Sequence, residues 1–329
     1  MWHLIKSLGN VISEVSIDED YLSYYTSDYV LHFINKNNSL EVNSIQLERD
    51  SNYALYNEKL YLSNDGELKI IDIPTHQIFE KFDSGKQYIF TLSENLYIAS
   101  SYIRTEKKYE NIILTNKKEP AFEINGEYAV NEYFNPYLFL FNREKDKIAV
   151  VDVYKEKLLW DSILTDKVNG KSIMEGKFLI VPLTQSTIKY EIDTGKVLWN
   201  LAMSLPYLRI NDQKTKLFSL NAKSFELIDV ETGERELQKE LSENLHIASH
   251  LTYYTDGYLY FSGYRDNNIP VFGAVDVKTG ELVFTQTVEM PGEKSFRKGL
   301  DRPVVVGNRL YVRDAMKTLH IYERIDTET

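Results

Sequence analysis

The stretch Val271-Phe272-Gly273-Ala274-Val275-Asp276-Val277-Lys278-Thr279-Gly280-Glu281-Leu282-Val283-Phe284 reads as strand, tight corner, strand. Apolar and β-branched residues run up to Asp276, a short polar corner ends in Gly280, and an apolar strand leaves through Leu282 and Phe284. Each residue type has a local reason. A hairpin corner usually includes one residue at positive φ, which Gly adopts freely and other residues adopt at a cost of roughly 1–2 kcal/mol. The side-chain oxygens of Asp276 and Thr279 suit acceptance from the corner's backbone N–H groups. A large apolar residue four positions after the Gly is expected to return to the layer that the first strand faces. Burying an aromatic there contributes up to roughly 4–6 kcal/mol.

Weaker copies of this unit recur along the chain. Glu191-Ile192-Asp193-Thr194-Gly195-Lys196-Val197-Leu198-Trp199 is one, and Asp229-Val230-Glu231-Thr232-Gly233-Glu234 is another. In Asp152-Val153-Tyr154-Lys155-Glu156-Lys157 and Asp72-Ile73-Pro74-Thr75-His76-Gln77 the Gly is replaced. Looser versions lie at 33–38 and 113–118, and a truncated one ends the chain at 319–323. Together they make eight units spaced by about 41 residues, the spacing of four-stranded propeller blades. Two further short apolar segments precede each corner, for example 128–131 and 137–141 ahead of 148–153. The last unit lacks a fourth strand, whereas the first has a spare one at 3–8. Pairing 3–8 beside 318–322 closes the ring and removes two exposed sheet edges. The expected fold is therefore all-β, an eight-bladed β-propeller over 1–329 as a single domain. Seven blades are the alternative, if the first or third unit is irregular.

The pattern of small apolar residue, any, Asp, any, any, Thr, Gly, three of any, then Trp resembles the repeat of the quinoprotein-like propeller family. Ala274, Asp276, Thr279 and Gly280 match it, with Phe284 in the Trp place. Thr194, Gly195 and Trp199 match in a second unit with Glu191 in the Asp place. Asp152 and Trp160 match in a third, and Asp229, Thr232 and Gly233 in a fourth. The resemblance implies a propeller. In its quinone-dependent members it also implies a catalytic Asp, a calcium site and a vicinal disulfide, whereas other members hold no cofactor. This chain has no cysteine and keeps only Trp160 and Trp199 as repeat tryptophans, so we expect no cofactor.

Composition narrows the partners. With 24 Tyr, 15 Phe and no low-complexity segment the chain suits an ordered core. A formal net charge of −11 argues against nucleic acid, whose phosphates need a basic stripe, and fits a basic protein partner steered by a negative field. No apolar run approaches a membrane span and the N-terminus lacks the apolar core of an export signal, so no membrane partner and a cytoplasmic monomer are expected.

Candidate chemistry is sparse. His246 and His250 have the four-residue spacing of two ligands on one helix face, but no third ligand accompanies them, so no metal site is assigned. Asp72, Asp152, Asp229 and Asp276 repeat because the corners need them, and no catalytic residue is assigned. The informative positions are insertions at 102–109, 142–147, 242–250, 264–268 and 289–302, all of which a propeller gathers on one rim. Tyr and Arg are enriched in binding hot spots, so Tyr102, Arg104, Tyr109, Tyr264 and Arg265 are the candidate partner-binding residues. The expectation is a non-enzymatic, protein-binding scaffold, one form being an immunity or antitoxin-type protein that neutralises a basic toxin. The alternative is a propeller hydrolase or lactonase with a metal or acid–base site at the channel mouth.

Overall fold

A computed structural model describes residues 2–325 apart from 18–20, 37–40, 50, 57, 65–66, 84–87, 94–95, 104–107, 116–119, 125–127, 143–145, 243 and 289–298, and gives the backbone alone for 41–42, 52, 56, 79–80, 267 and the described part of 82–127. Its strands pair into eight four-stranded antiparallel sheets. The first sheet is Ser16–Ile17, Tyr21–Tyr25, Val30–Asn35 and Glu41–Gln46. The second is Asn52–Tyr56, Lys59–Asn64, Glu67–Asp72 and Ile78–Asp83, and the third Tyr88–Ser93, Leu96–Ile103, Lys108–Thr115 and Pro120–Ile124. The fourth is Ala129–Phe134, Tyr137–Asn142, Lys147–Asp152 and Lys157–Ile163, and the fifth Ile173–Glu175, Phe178–Pro182, Thr187–Glu191 and Val197–Leu201. The sixth is Arg209–Ile210, Lys216–Leu220, Ser224–Asp229 and Arg235–Glu240, and the seventh Leu245–Thr255, Tyr258–Arg265, Ile269–Asp276 and Leu282–Thr287. The eighth is Val304–Val306, Arg309–Arg313 and Leu319–Arg324, completed by Trp2–Leu8 from the other end of the chain.

Two observations arrange these sheets as a β-propeller. First strands of neighbouring sheets approach one another, Ala129–Phe134 against Ile173–Glu175 and Leu245–Thr255 against Val304–Val306, so they are the inner strands. The fourth strands Lys157–Ile163, Val197–Leu201 and Arg235–Glu240 are mostly exposed and lie outside.

Among the described residues the middle strands of the fifth to seventh sheets are buried on both faces, and the two-residue period of a strand sends alternate side chains to different cores. Leu179 and Val181 pack with Phe139, Ile148 and Val150 of the fourth sheet, whereas Ile180 between them packs with Leu217 and Ile228 of the sixth. Leu259 and Phe261 join Phe218 and Phe225, and Tyr260 joins Leu310 and Tyr322. The same division explains why these strands read as unbroken apolar runs and not as alternating ones. One such cluster joins the eighth sheet to the first, with Val304, Tyr311 and Ile321 against Val11, Leu22 and Tyr24.

The expected closure is present. Trp2–Leu8 runs antiparallel to Leu319–Arg324, with Leu4 opposite Tyr322 and Ser7 opposite His320. The Trp2 ring is buried among Tyr260, Phe272, Val305 and Tyr322. Val11 N–H donates to the Lys317 carbonyl at 2.8 Å, and Arg313 Nη1 donates to the Val11 carbonyl at 3.1 Å. The first strand of the first sheet is shorter than the expected 11–17. Ser13 Oγ accepts the Tyr25 N–H at 2.9 Å in place of a backbone carbonyl, and only Val11 and Ser16–Ile17 pair.

The corners use their residues as the sequence suggests. Asp276 Oδ1 accepts from the N–H groups of Lys278 (2.8 Å) and Thr279 (3.0 Å), and Thr279 Oγ1 accepts from Glu281 N–H at 3.2 Å. Asp229 and Asp152 repeat the carboxylate bonds at 2.9 Å and 3.0–3.1 Å. Gly195, Gly233 and Gly280 have φ of +70°, +73° and +68°, and where Gly is replaced Glu156 and His76 still take +51° and +60°. The residue four places after the Gly goes further than expected. Trp160 packs on the layer that Ile148 and Val150 of its own sheet face, and it also covers the corner of the next sheet, with its Nε1–H on the Ile192 carbonyl at 2.5 Å. Trp199 does the same to Val230 at 2.9 Å. Each indole lies so close that a Cβ on Gly195 would sit 2.6 Å, and on Gly233 2.8 Å, from a ring carbon.

The glycine arrangement gives a paired test. Gly195→Ala meets both the φ penalty and the Trp160 ring and is expected to lose about 2–4 kcal/mol in urea unfolding. Gly257→Ala, at φ +78° with open space around it, should lose only about 1–2 kcal/mol. Equal losses would remove the indole from the explanation.

A second test concerns acid. The Lys216 ammonium and the Thr232 N–H hold the Asp229 carboxyl at about 2, below its unfolded value. Its contribution is therefore complete above about pH 4 and is lost as pH falls towards about 2. Asp229→Asn should lower the urea midpoint at pH 7 and flatten its decline across that window. A variant that declines as steeply as the parent would count against the assignment.

Candidate interaction rim and channel mouth

In an up-and-down sheet the second-to-third links and the links between sheets leave from one rim. The first-to-second and third-to-fourth corners leave from the other. The carboxylates of Asp152, Asp229 and Asp276 are therefore together on the second rim, each occupied by the N–H groups of its own corner.

On the first rim the expected insertions 102–109, 242–250 and 264–268 are shorter than the sequence suggested, whereas 143–145 and 289–298 lie outside the described residues. Tyr102 and Tyr109 stand opposite each other as a cross-strand pair, because the strands Leu96–Ile103 and Lys108–Thr115 extend into the segment read as a loop. Arg104 lies outside the described residues. Tyr264 and Arg265 likewise end the strand Tyr258–Arg265, followed by a single 3-10 turn over Asp266–Asn268. Arg265 is exposed and its Nη2 donates to Thr285 Oγ1. Tyr264 is half-buried beside Gly299, where an added Cβ would sit 3.1 Å from its hydroxyl. The third and seventh sheets are four apart in chain order, and their second-to-third links leave from the same rim.

His246 and His250 lie in the strand Leu245–Thr255 and not on a helix, and a register shift between Ile247 and Thr252 separates their surroundings. His246 pairs opposite Tyr264, whereas the His250 ring is 5.6 Å from Tyr207. No group of three or more metal-ligating side chains gathers among the described residues.

The most developed feature of this rim is a cleft the sequence reading missed. It has a volume of about 730 Å³ and runs between the fourth, fifth and sixth sheets, with Phe141, Asp146, Lys167, Lys171 and Tyr207 in its walls. Gly170 makes it possible. At φ +107° it brings the fifth sheet's incoming link against the next, where a Cβ would stand 2.9 Å from Tyr207 N and 3.0 Å from Pro206 Cα. Asn169 Nδ2 fastens the same contact to Ser204 Oγ at 3.1 Å. The run Asp166-Lys167-Val168-Asn169-Gly170-Lys171, polar and ending in Asn-Gly, was the available signal.

A further missed group is a chain of three side chains in the closing sheet. Ser7 Oγ is 3.2 Å from His320 Nδ1, and His320 Nε2 is 2.9 Å from Asp314 Oδ2. Asp314 Oδ1 also accepts from the N–H groups of Met316 (2.8 Å) and Thr318 (2.9 Å). Burial alone would raise the Asp314 carboxyl, but the bonds from His320 and the Thr318 amide hold it below its ordinary value. The order of residues resembles a hydrolytic relay, yet every acceptor fastens either the corner or the closing strand, and the reading it supports is structural.

Lys171 also lines a second cavity of about 350 Å³ among the inner strands, with Glu132, Ser172, Arg209, Thr252, Tyr253 and Arg302. Its carboxylate, Glu132, is raised by burial and lies 3.6 Å from Lys171.

No protein-family model matches the sequence, and no curated protein matches it. Solved structures do resemble the fold. The computationally designed Ika8 protein aligns with a TM-score of 0.69 at 10% identity, over 98% of both chains. BamB from Moraxella catarrhalis aligns at 0.64 and 10% identity, over 100% of this chain and 99% of that one. The C-terminal WD40 domain of Sif2 aligns at 0.68 and 10% identity, over 99% of each. At such identities the likeness carries the architecture alone, and that architecture is an all-β β-propeller.

Proposed function

We propose that this protein is a non-catalytic scaffold of the quinoprotein-like type, with all eight sheets serving as blades of one ring over 1–329, and that it binds a basic protein through its first rim. The carrying observation is the cleft of about 730 Å³ on that rim, with aromatic walls at Phe141 and Tyr207 and charged groups at Asp146, Lys167 and Lys171. Interface cores of this kind combine aromatic anchors with a polar surround. Tyr264 and Arg265 stand on the same rim, and the opposite rim's corner carboxylates are already engaged. The net charge of −11 favours a basic partner and fast, salt-sensitive association. Neutralisation of a basic toxin is one form such binding takes.

Site-specific photocrosslinking in the source cell tests this reading. A photoreactive residue placed at Tyr207 or Tyr264 should give a discrete protein adduct, whereas one at Lys278 or Thr232 on the opposite rim should give none. The adduct should fade as salt is raised from about 0.05 to 0.5 M in the extract. Equal adducts from both rims, or an adduct indifferent to salt, would overturn the proposal.

A further inference from the structure

The cavity of about 350 Å³ among the inner strands has a composition that the rim reading does not require. The molecule is acidic, at −11 overall, yet three cations line this space, Lys171, Arg209 and Arg302, against one carboxylate, Glu132. Glu132 is matched by Lys171 at 3.6 Å. Among the described residues neither Arg209 nor Arg302 pairs with a carboxylate.

Arg209 is fixed by the backbone. Its Nε and Nη2 donate to the Thr252 carbonyl at 3.3 and 2.8 Å, and Nη1 donates to the Leu208 carbonyl at 3.0 Å. Three of its five N–H donors are thus used, and two remain. Arg302 Nε is buried without a hydrogen-bond partner. Ser172, 1% exposed, lines the same cavity, and its Oγ also has no partner. Desolvation, together with the neighbouring Arg302 charge, brings the Arg209 guanidinium down to about 10. Two like charges lining one partly desolvated space, with donors left over, are an unfavourable arrangement for the protein alone. A ligand carrying two negative charges would reverse its sign, since guanidinium groups recognise oxyanions through paired N–H bonds.

We propose that this cavity binds a small, doubly charged oxyanion between the guanidinium groups of Arg209 and Arg302, with Ser172 Oγ as a neutral third donor. Phosphate and a short dicarboxylate share that chemistry, and both fit the volume. Lys171 lines both spaces, but the anion is assigned to Arg209, Arg302 and Ser172, none of which lines the rim cleft, so either proposal can fail alone.

The test is thermal unfolding and calorimetric titration of the full-length protein against sodium phosphate and sodium malonate, each compared with chloride at equal ionic strength. At about 10 mM, one or both anions should raise Tm by about 3–6 °C. Arg302→Gln should abolish that rise while leaving Tm without anion equal or higher, because it also removes the repulsion. Arg302→Lys keeps the charge but loses the fork and should bind at least about 10-fold more weakly. Ser172→Ala should weaken binding about 3–10-fold. A response to phosphate alone or to malonate alone names the ligand class. Neither anion outperforming chloride, or an unchanged affinity in both Arg302 variants, overturns the proposal.

Discussion

The antiparallel pairing of Trp2–Leu8 with Leu319–Arg324 is the constraint on which the remaining structure depends. Among the described residues the fifth, sixth and seventh sheets pack both faces against neighbours, and alternate residues of one strand serve different cores. Such a sheet has no face that tolerates water, so the row of sheets must return to its start. The return rests on a buried Trp2, on the cluster shared by Val11, Tyr24, Tyr311 and Ile321, and on the Ser7, His320 and Asp314 chain. Polar bonding here supplies register, and apolar burial supplies most of the stabilisation.

The two rims divide the work. On one, Asp, Thr and Gly make short corners whose carboxylates are satisfied locally, and Trp160 and Trp199 press the corner of each following sheet. On the other, Gly170 lets two links meet closely enough to wall a cleft, and Lys171 connects that cleft with the cationic cavity among the inner strands. An acidic surface around a locally positive interior separates what the exterior attracts from what the interior holds.

How much of this was legible in the sequence follows from the range of the interactions involved. The corners were readable because their causes are local. Asp276, Thr279 and Gly280 act within five residues of one another, and the same conformation persists at Glu156 and His76 where Gly is absent. The spare strand at 3–8 was readable because the final unit lacked one. The return of Trp160 to its own sheet's layer was readable, but its further contact with Gly195 in the next sheet was not, because no local pattern shows which sheet will be adjacent. Tyr102 and Tyr109 were read as loop because strand ends are set by cross-strand pairing. Arg209 and Arg302 were invisible for the same reason. One lies in a two-residue strand and the other in a link, and only the return of the chain on itself brings them to one cavity.

Ring closure can be measured directly because the chain has no cysteine to interfere. His3 stands opposite Glu323 in the closing pair. In the His3→Cys, Glu323→Cys double variant, oxidation of the folded protein should form the disulfide without loss of native signal. Because the bond spans nearly the whole chain, it should stabilise against urea by up to about 5 kcal/mol. A bond that forms only after unfolding, or that forms and leaves the urea midpoint unchanged, would contradict closure by these two strands.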